Sequence, residues 1–416
     1  MKIRSLLLGS VAAAGLATTG FAADLGVVTS LDICDELGLS GLTISSDDNC
    51  LVITGGVTFE YKIGDYNDGV DDDGDGILNE EGTAYSGFLR TGGVYLVDDN
   101  DGILESNADV DAWLKFVATA NSDFGPATAT IKLISENNTG TADWTVGIDE
   151  AWVGIGDTTM LMAGYKGSIF NDGDDAPLNY LGLFNSSSVD AGVGFSAANA
   201  RGGDVIQVVS NLGNGLSISA GIEDLGSTGV SLLTGVGVIA YAGDGVTAHA
   251  SGSIDTVGLF NVHAGFKGTW DPITVVGAVA VNNGWWNALG SASATFDMFT
   301  IAVSGEATSA GEWGAGGSVS ATVSDGVTIN LGSRVWVTPG FDDVWQAEAG
   351  ISAAATETIT VTAALGAIDG TGDPLVVYGK AGLAWAPGGG FTSSIEGKAQ
   401  SNGAYSATFK AAKTIK

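Results

Sequence analysis

The sequence predicts an all-β chain that closes on itself as an antiparallel transmembrane β-barrel, and three observations predict it. Hydrophobic residues make up 45% of the 416 positions and charged ones only 15%, yet beyond the first 22 residues no apolar run is long enough to cross a bilayer as a helix. The apolar residues instead occupy every second position of short segments, so each segment has one lipid-compatible face and one polar face. The connections also alternate in kind. Asp271-Pro272, Asp325-Gly326 and Pro387-Gly388-Gly389 are tight, whereas 336–343 and 367–374 are longer and acidic, the asymmetry of a barrel with short turns on one rim and long loops on the other.

Taken in order, residues 1–22 read as a secretory signal peptide. Lys2 and Arg4 precede the apolar run Leu6-Leu7-Leu8, which continues through 11–14, and Gly20-Phe21-Ala22 puts small residues where a signal peptidase reads them. The alternative is a transmembrane helix, for which the stretch is too short and too rich in Ala and Gly. Cys34 and Cys50 are the only cysteines. In an exported chain such a pair reads as a disulfide, worth roughly 3 kcal/mol on the chain-entropy estimate; two separate thiols or half of a metal site is the other reading. Residues 23–50 are then a stapled periplasmic segment ahead of the barrel. The first strand is 51–63, with Val57, Phe59, Tyr61 and Ile63 on one face and Thr58, Glu60 and Lys62 on the other.

These N-terminal residues carry a resemblance. Met1-Lys2-Ile3-Arg4-Ser5-Leu6-Leu7-Leu8-Gly9-Ser10, then Ala22-Ala23-Asp24, then Cys34 and Cys50-Leu51 with a Gly-led strand behind them, resemble the alphaproteobacterial outer-membrane porins of the rhizobial and Brucella type. The likeness is strong over the first 63 residues, weaker but ordered to about residue 180, and carried beyond that by strand pattern alone. It implies a homotrimeric, water-filled barrel of the Gram-negative outer membrane, set in lipid and lipopolysaccharide and passing small hydrophilic solutes.

Residues 64–108 are a long acidic outer loop in which 85–97 can pair as a small hairpin. Strands follow at 110–120, 129–133, 144–156 and 159–166, and Ser122-Asp123-Phe124-Gly125-Pro126 resembles the family's turn between its second and third strands. After 195 the segments shorten: 205–210, 216–222, 235–242, 246–254, 259–270, 273–281, 287–296, 299–306, 314–323, 327–337, 344–354, 359–367, 375–385, 391–398 and 404–410. A count of about 18 segments, merged at the ends, becomes about sixteen strands, the number the resemblance implies. Trp270, Trp285, Trp286, Trp313, Trp336, Trp345 and Trp385 lie at or near segment ends, as interfacial girdles require. They separate the barrel from the alternative of a soluble β-solenoid or sandwich. The barrel spans 51–410, and 411–416 reads as a C-terminal tail beyond the aromatics Tyr405 and Phe409, where the family commonly ends on an aromatic residue.

Charge narrows the function. The chain carries a formal −33, and losing the two cations Lys2 and Arg4 with an acid-free signal takes the mature chain to −35. Such an excess excludes nucleic acid as a partner, since phosphate binding needs clustered Lys and Arg, and it argues against anionic metabolites. His249 and His263, the only histidines, sit in alternating strands with no nucleophile at a recognisable spacing. The expectation is wall histidines and no enzyme.

Two acidic motifs remain. In Asp71-Asp72-Asp73-Gly74-Asp75-Gly76-Ile77-Leu78-Asn79, carboxylates at alternate positions can converge on one Ca²⁺. Gly82 stands where an EF-hand needs its bidentate Glu, so the motif is closer to the calcium loops of thrombospondin type 3 repeats. The expected ligands are Asp71, Asp73, Asp75, Asn79 and the Ile77 carbonyl; a solvated acidic loop is the alternative. The second motif, Asn171-Asp172-Gly173-Asp174-Asp175, lies in the connection 167–190 after the fifth strand. The stretches Glu150-Ala151-Trp152, Ala163-Gly164-Tyr165 and Ser168-Ile169-Phe170 resemble those leading into the family's third loop, which folds inward and narrows the pore. The resemblance then implies a constriction with Asp172, Asp174 and Asp175 opposite a basic wall of Lys62, Lys115, Lys132 and Arg334, with Lys380 and Lys398 later; an outward, solvated loop is the alternative. The function expected is a cation-preferring passive diffusion channel. The runner-up is a secreted, Ca²⁺-binding surface or adhesion protein without a pore.

Overall fold

The computed structural model describes residues 34, 37–46, 48–66, 104–138, 145–171, 176–184, 202–226, 233–340, 343–369 and 375–416. Among them 21 strands form one sheet. In chain order they are β1 (Leu42–Ser45), β2 (Cys50–Asp65), β3 (Glu105–Ala120), β4 (Ala127–Asn138), β5 (Thr145–Gly156), β6 (Thr159–Lys166) and β7 (Gly203–Gly213). Next come β8 (Leu216–Glu223), β9 (Thr234–Gly243), β10 (Val246–Asp255), β11 (Phe260–Trp270), β12 (Ile273–Asn282), β13 (Trp285–Phe296) and β14 (Phe299–Thr308). The last are β15 (Trp313–Ser324), β16 (Val327–Val337), β17 (Val344–Ala354), β18 (Ile359–Asp369), β19 (Val376–Gly388), β20 (Phe391–Gln400) and β21 (Tyr405–Ile415).

From β2 onward every strand pairs antiparallel with its sequence neighbour, and β21 returns to β2 with Gly55 opposite Ile415 and Asp65 opposite Tyr405. The sheet is therefore a closed barrel of 20 strands. β1 stands outside that count. It pairs with Cys50–Ile53 of β2, while β3 takes the other edge of the same residues, so β1 prolongs β21 along one edge. Closure leaves no long open edge, which a strand-built wall otherwise exposes to aggregation.

The expected number of about sixteen is corrected to 20, because every segment named as a strand from the sequence between 51 and 410 is a strand of its own and none merge. Asn214 and Gly215 both have positive φ, 51° and 80°, as do Asp244 and Gly245, 52° and 76°. Two consecutive residues at positive φ make the tight turn whose twist suits a hairpin. Each such dipeptide reverses the chain between two of the short segments.

Side chains alternate across the wall. On β14, Phe299, Ile301 and Val303 are exposed while Ala302, Ser304, Glu306 and Thr308 are buried. The same alternation puts Ile273, Val279, Leu331 and Ile351 outside. Exposed Trp270, Trp285, Trp286, Trp313, Trp345 and Trp385 sit at or near strand ends. Trp336 departs from the expected girdle: it is 1% exposed, on the inward parity of Arg334, and its Nε1 donates to Thr338 Oγ1 at 3.0 Å. Residues 411–415, read from sequence as a tail, continue β21 and pair with β2. Cys34 and Cys50 are joined by a disulfide that ties the segment before β1 to the first residue of β2.

Candidate functional site

The inner wall gathers around the connection between β6 and β7. Two of its stretches, 167–171 and 176–184, bond to inward side chains on strand after strand. At its root, Glu223 of β8 is fully buried; its Oε1 accepts the Ile169 N–H at 3.0 Å and its Oε2 the Gly202 N–H at 2.7 Å. Gln207 of β7 donates both to Glu223 at 2.8 Å and to the Gly167 carbonyl at 3.0 Å. Three serines then accept backbone N–H groups in turn: Ser251 from Asn171 at 3.1 Å, Ser291 from Leu178 at 2.9 Å and Ser318 from Tyr180 at 3.0 Å. These serines belong to β10, β13 and β15, so three strands of the wall each fasten one backbone N–H of the connection.

Further along, the contacts become ionic. Arg334 of β16 donates through Nη1 to the carbonyls of Leu181 and Leu183, both at 3.0 Å, and through Nε to Gln346 at 2.7 Å. Its guanidinium also lies 4.1 Å from the centre of the Phe184 ring. Gln346 donates to the Tyr378 hydroxyl at 2.6 Å, Tyr378 donates to Glu348 at 2.7 Å, and Lys380 pairs with Glu348 at 3.0 Å. Glu348 also accepts from the Tyr180 hydroxyl at 2.6 Å. Burial, and then the Glu348 carboxylate, push the Tyr180 phenol well above its usual range.

Missing side chains make room for this. A Cβ on Gly332 would come within 3.1 Å of both Leu181 and Tyr180, and one on Gly316 within 2.7 Å of the Asn179 amide. Apolar packing finishes the seat. Phe184 clusters with Trp336, Val344, Ile368 and Val376, and Leu183 with Val276, Ala278 and Leu289. These are inward positions of β12, β13 and β16–β19, which explains apolar residues on a wall otherwise lined by Ser, Thr and Asn.

A second ionic group sits on the early strands. Lys132 of β4 opposes Glu150 of β5, but Leu133 opposes Ile148, so Asp149 is an extra residue in a β-bulge. The bulge turns two consecutive carboxylates to the same side. Lys115 pairs with Glu150 at 3.2 Å and Lys132 with Asp149 at 2.6 Å. Lys62 lies 3.6 Å above the Tyr66 ring, Lys410 pairs with Glu60 at 2.7 Å, and Lys380 stands directly opposite Lys398 across β19 and β20.

The basic residues expected from sequence thus share the inner face without standing as one open wall. Lys115 and Lys132 are ion-paired and Arg334 is engaged with backbone carbonyls. Asp172, Asp174 and Asp175 lie outside the described residues, as do Asp71, Asp73, Asp75, Ile77 and Asn79 and the hairpin expected at 85–97. Sequence reasoning missed Tyr180, Glu223, Glu348, Tyr378 and the three serines. The signal was present for Glu348, the one charged residue on the strand VWQAEAGISAA.

No family model and no curated protein matches the chain. Solved structures with a related outline include a double variant of Rhodobacter blastica porin, with 13% identity and a TM-score of 0.40 over 88% of this chain and 99% of that one. Another is a loop-deleted OmpT, an outer membrane protein of Vibrio cholerae, with 10% identity and a TM-score of 0.40 over 88% of this chain and 100% of that one.

Proposed function

We propose that the chain is an outer-membrane porin, a water-filled passive channel for small hydrophilic solutes that prefers cations. The observation that carries the reading is a closed 20-stranded wall whose outward positions are apolar and exposed and whose inward positions are polar except where the β6–β7 connection packs on them. In water that exterior would be a very large apolar patch; a bilayer removes the cost, and closure satisfies the backbone groups that lipid cannot. A secreted surface protein without a pore would have to hold the same exterior in water.

Lumen size follows strand number, and barrels of 16–18 strands already hold aqueous channels. A 20-stranded wall is wider still, so selectivity requires something across it. In this reading the connection 167–190 is the constriction, fastened through Arg334, Glu348 and the serines, and Asp172, Asp174 and Asp175 supply its negative charge. A net charge of −33 raises the local cation concentration at the mouths, an effect screened over roughly 8 Å at physiological salt. The signal peptide, trimer, lipopolysaccharide contact and Ca²⁺ in loop 64–108 belong to the same proposal, which assigns no enzymatic activity.

Planar-bilayer recording of the refolded protein in a KCl gradient tests it. The expected reversal potential favours K⁺ and declines as salt rises. Changing Asp172, Asp174 and Asp175 together to Asn should reduce it more than the same change at Asp71, Asp73 and Asp75. A folded barrel without conductance, or one preferring anions, would overturn the reading.

A further inference from the structure

We propose that His249 and His263 form a binding site for a late transition-metal cation, of the Zn²⁺, Ni²⁺ or Cu²⁺ class, on the inner wall of the barrel. They are the only two histidines in the chain. The hairpin of β10 and β11 brings them together, with His249 opposite Gly265 and His263 opposite Ser251, so they are diagonal neighbours on one face. Both are buried, at 8% and 2% exposure, and His249 Nε2 lies 2.8 Å from His263 Nδ1.

The ring geometry shows what that contact is. The planes differ by 5° and the centroids are 5.1 Å apart. Combined with nitrogens at 2.8 Å, this is two rings meeting edge to edge in a common plane, not one lying over the other. The facing nitrogens hold one proton between two in-plane lone pairs. Neutral imidazole is the donor that Zn²⁺, Ni²⁺ and Cu²⁺ take most readily, and Mg²⁺ and Ca²⁺ least. With Zn–N bonds of about 2.0–2.1 Å, two nitrogens on one tetrahedral ion stand about 3.3 Å apart. The pair is already within about half an ångström of that, and an in-plane swing of each ring by roughly 35° turns the facing lone pairs onto a metal that replaces the shared proton.

One oxygen donor lies beside the nitrogens, Ser251, opposite His263 and two residues along from His249 on the same face, and the others lie further along the hairpin. Ser251, Ser253 and Asp255 of β10 and Asn261 of β11 are buried on the same inward parity. Ser251 also accepts the Asn171 N–H, which sets the root of the β6–β7 connection next to the pair. The facing positions of β9 and β12, Val236, Val238, Ala240, Ala278 and Ala280, carry no charge, and Lys267 further along β11 is exposed. Two protein nitrogens with water or a neighbouring oxygen completing the shell make an exchangeable site rather than a closed structural one.

Zn²⁺ alone, titrated calorimetrically into the refolded full-length barrel in detergent, tests the assignment without any need for conductance. The expected result is one histidine-dependent equivalent per chain, at least tenfold tighter than Mg²⁺. It should weaken at least tenfold in His249→Asn and in His263→Asn. Zn²⁺ affinity unchanged in both variants, or no preference over Mg²⁺, overturns it. Should the variants fail to fold, Cu²⁺ electron paramagnetic resonance on the unmodified protein decides: coupling to two imidazole nitrogens supports the site, and an oxygen-only signature overturns it.

Discussion

Tyr180 donates its phenolic hydrogen bond to Glu348 at 2.6 Å, joining residues 168 positions apart in sequence. One end belongs to the connection after β6 and the other to β17. Glu348 takes two further partners, Tyr378 and Lys380, so the bond docks the connection onto a carboxylate the wall already holds in place. A donor aimed at a charged, fixed acceptor is stronger than a neutral pair.

Tyr180→Phe removes that bond and little else. A hydrogen bond to a charged group contributes about 1.5–3 kcal/mol, enough to raise the population of a detached connection tenfold or more while leaving the barrel intact. Single-channel records should show larger or noisier currents with an unchanged unfolding temperature. Currents identical to the parent would mean that the contact has no part in holding the connection.

Arg334 should matter more. Arg334→Met leaves the Leu181 and Leu183 carbonyls and the Gln346 amide oxygen without their donor. Each buried acceptor left unsatisfied costs about 1–3 kcal/mol. Arg334→Lys should rescue only part of this, because one ammonium cannot serve both carbonyls, reach Gln346 and lie flat on Phe184. The readout is protease sensitivity between 167 and 202. Full rescue by Lys would show that charge alone is what the site requires.

The bulge at Asp149 sets a third test. Asp149→Asn with Glu150→Gln leaves Lys115 and Lys132 facing neutral amides. The lumen then gains two net positive charges, and the reversal potential in a KCl gradient should move toward anions, most at low salt. No movement would place these pairs away from the ion path.

Ca²⁺ in the loop 64–108 is tested by chelation. Crowded carboxylates repel one another unless a cation neutralises them. Removing Ca²⁺ should speed protease cleavage within the loop and leave the strands uncut. Equal cleavage with and without chelator, together with no Ca²⁺ by direct metal analysis, would end that proposal.

What the sequence determined by itself was the wall. Period-two alternation in 327–337 names the outward Ile329 and Leu331 and the inward Asn330 and Arg334, because a strand's side chains have only two sides to choose between. The tight turn at Asp325-Gly326 was equally legible, since Gly326 takes a positive φ of 74° that glycine adopts without strain. The bridge between Cys34 and Cys50 followed from there being one possible partner.

Tertiary structure alone decided what faces what across the lumen. Nothing local to Tyr180 points to Glu348, or to Arg334 for the carbonyls at 181 and 183, because those contacts depend on how 20 strands curve before they close. The same holds for Trp336, whose indole reads as girdle by position near a strand end but falls on the inward parity. His249 and His263 each read as isolated until the hairpin register set Ser251 opposite one and Gly265 opposite the other. Local sequence chooses the side of the wall for each residue; only the register and curvature of the closed sheet choose its partners.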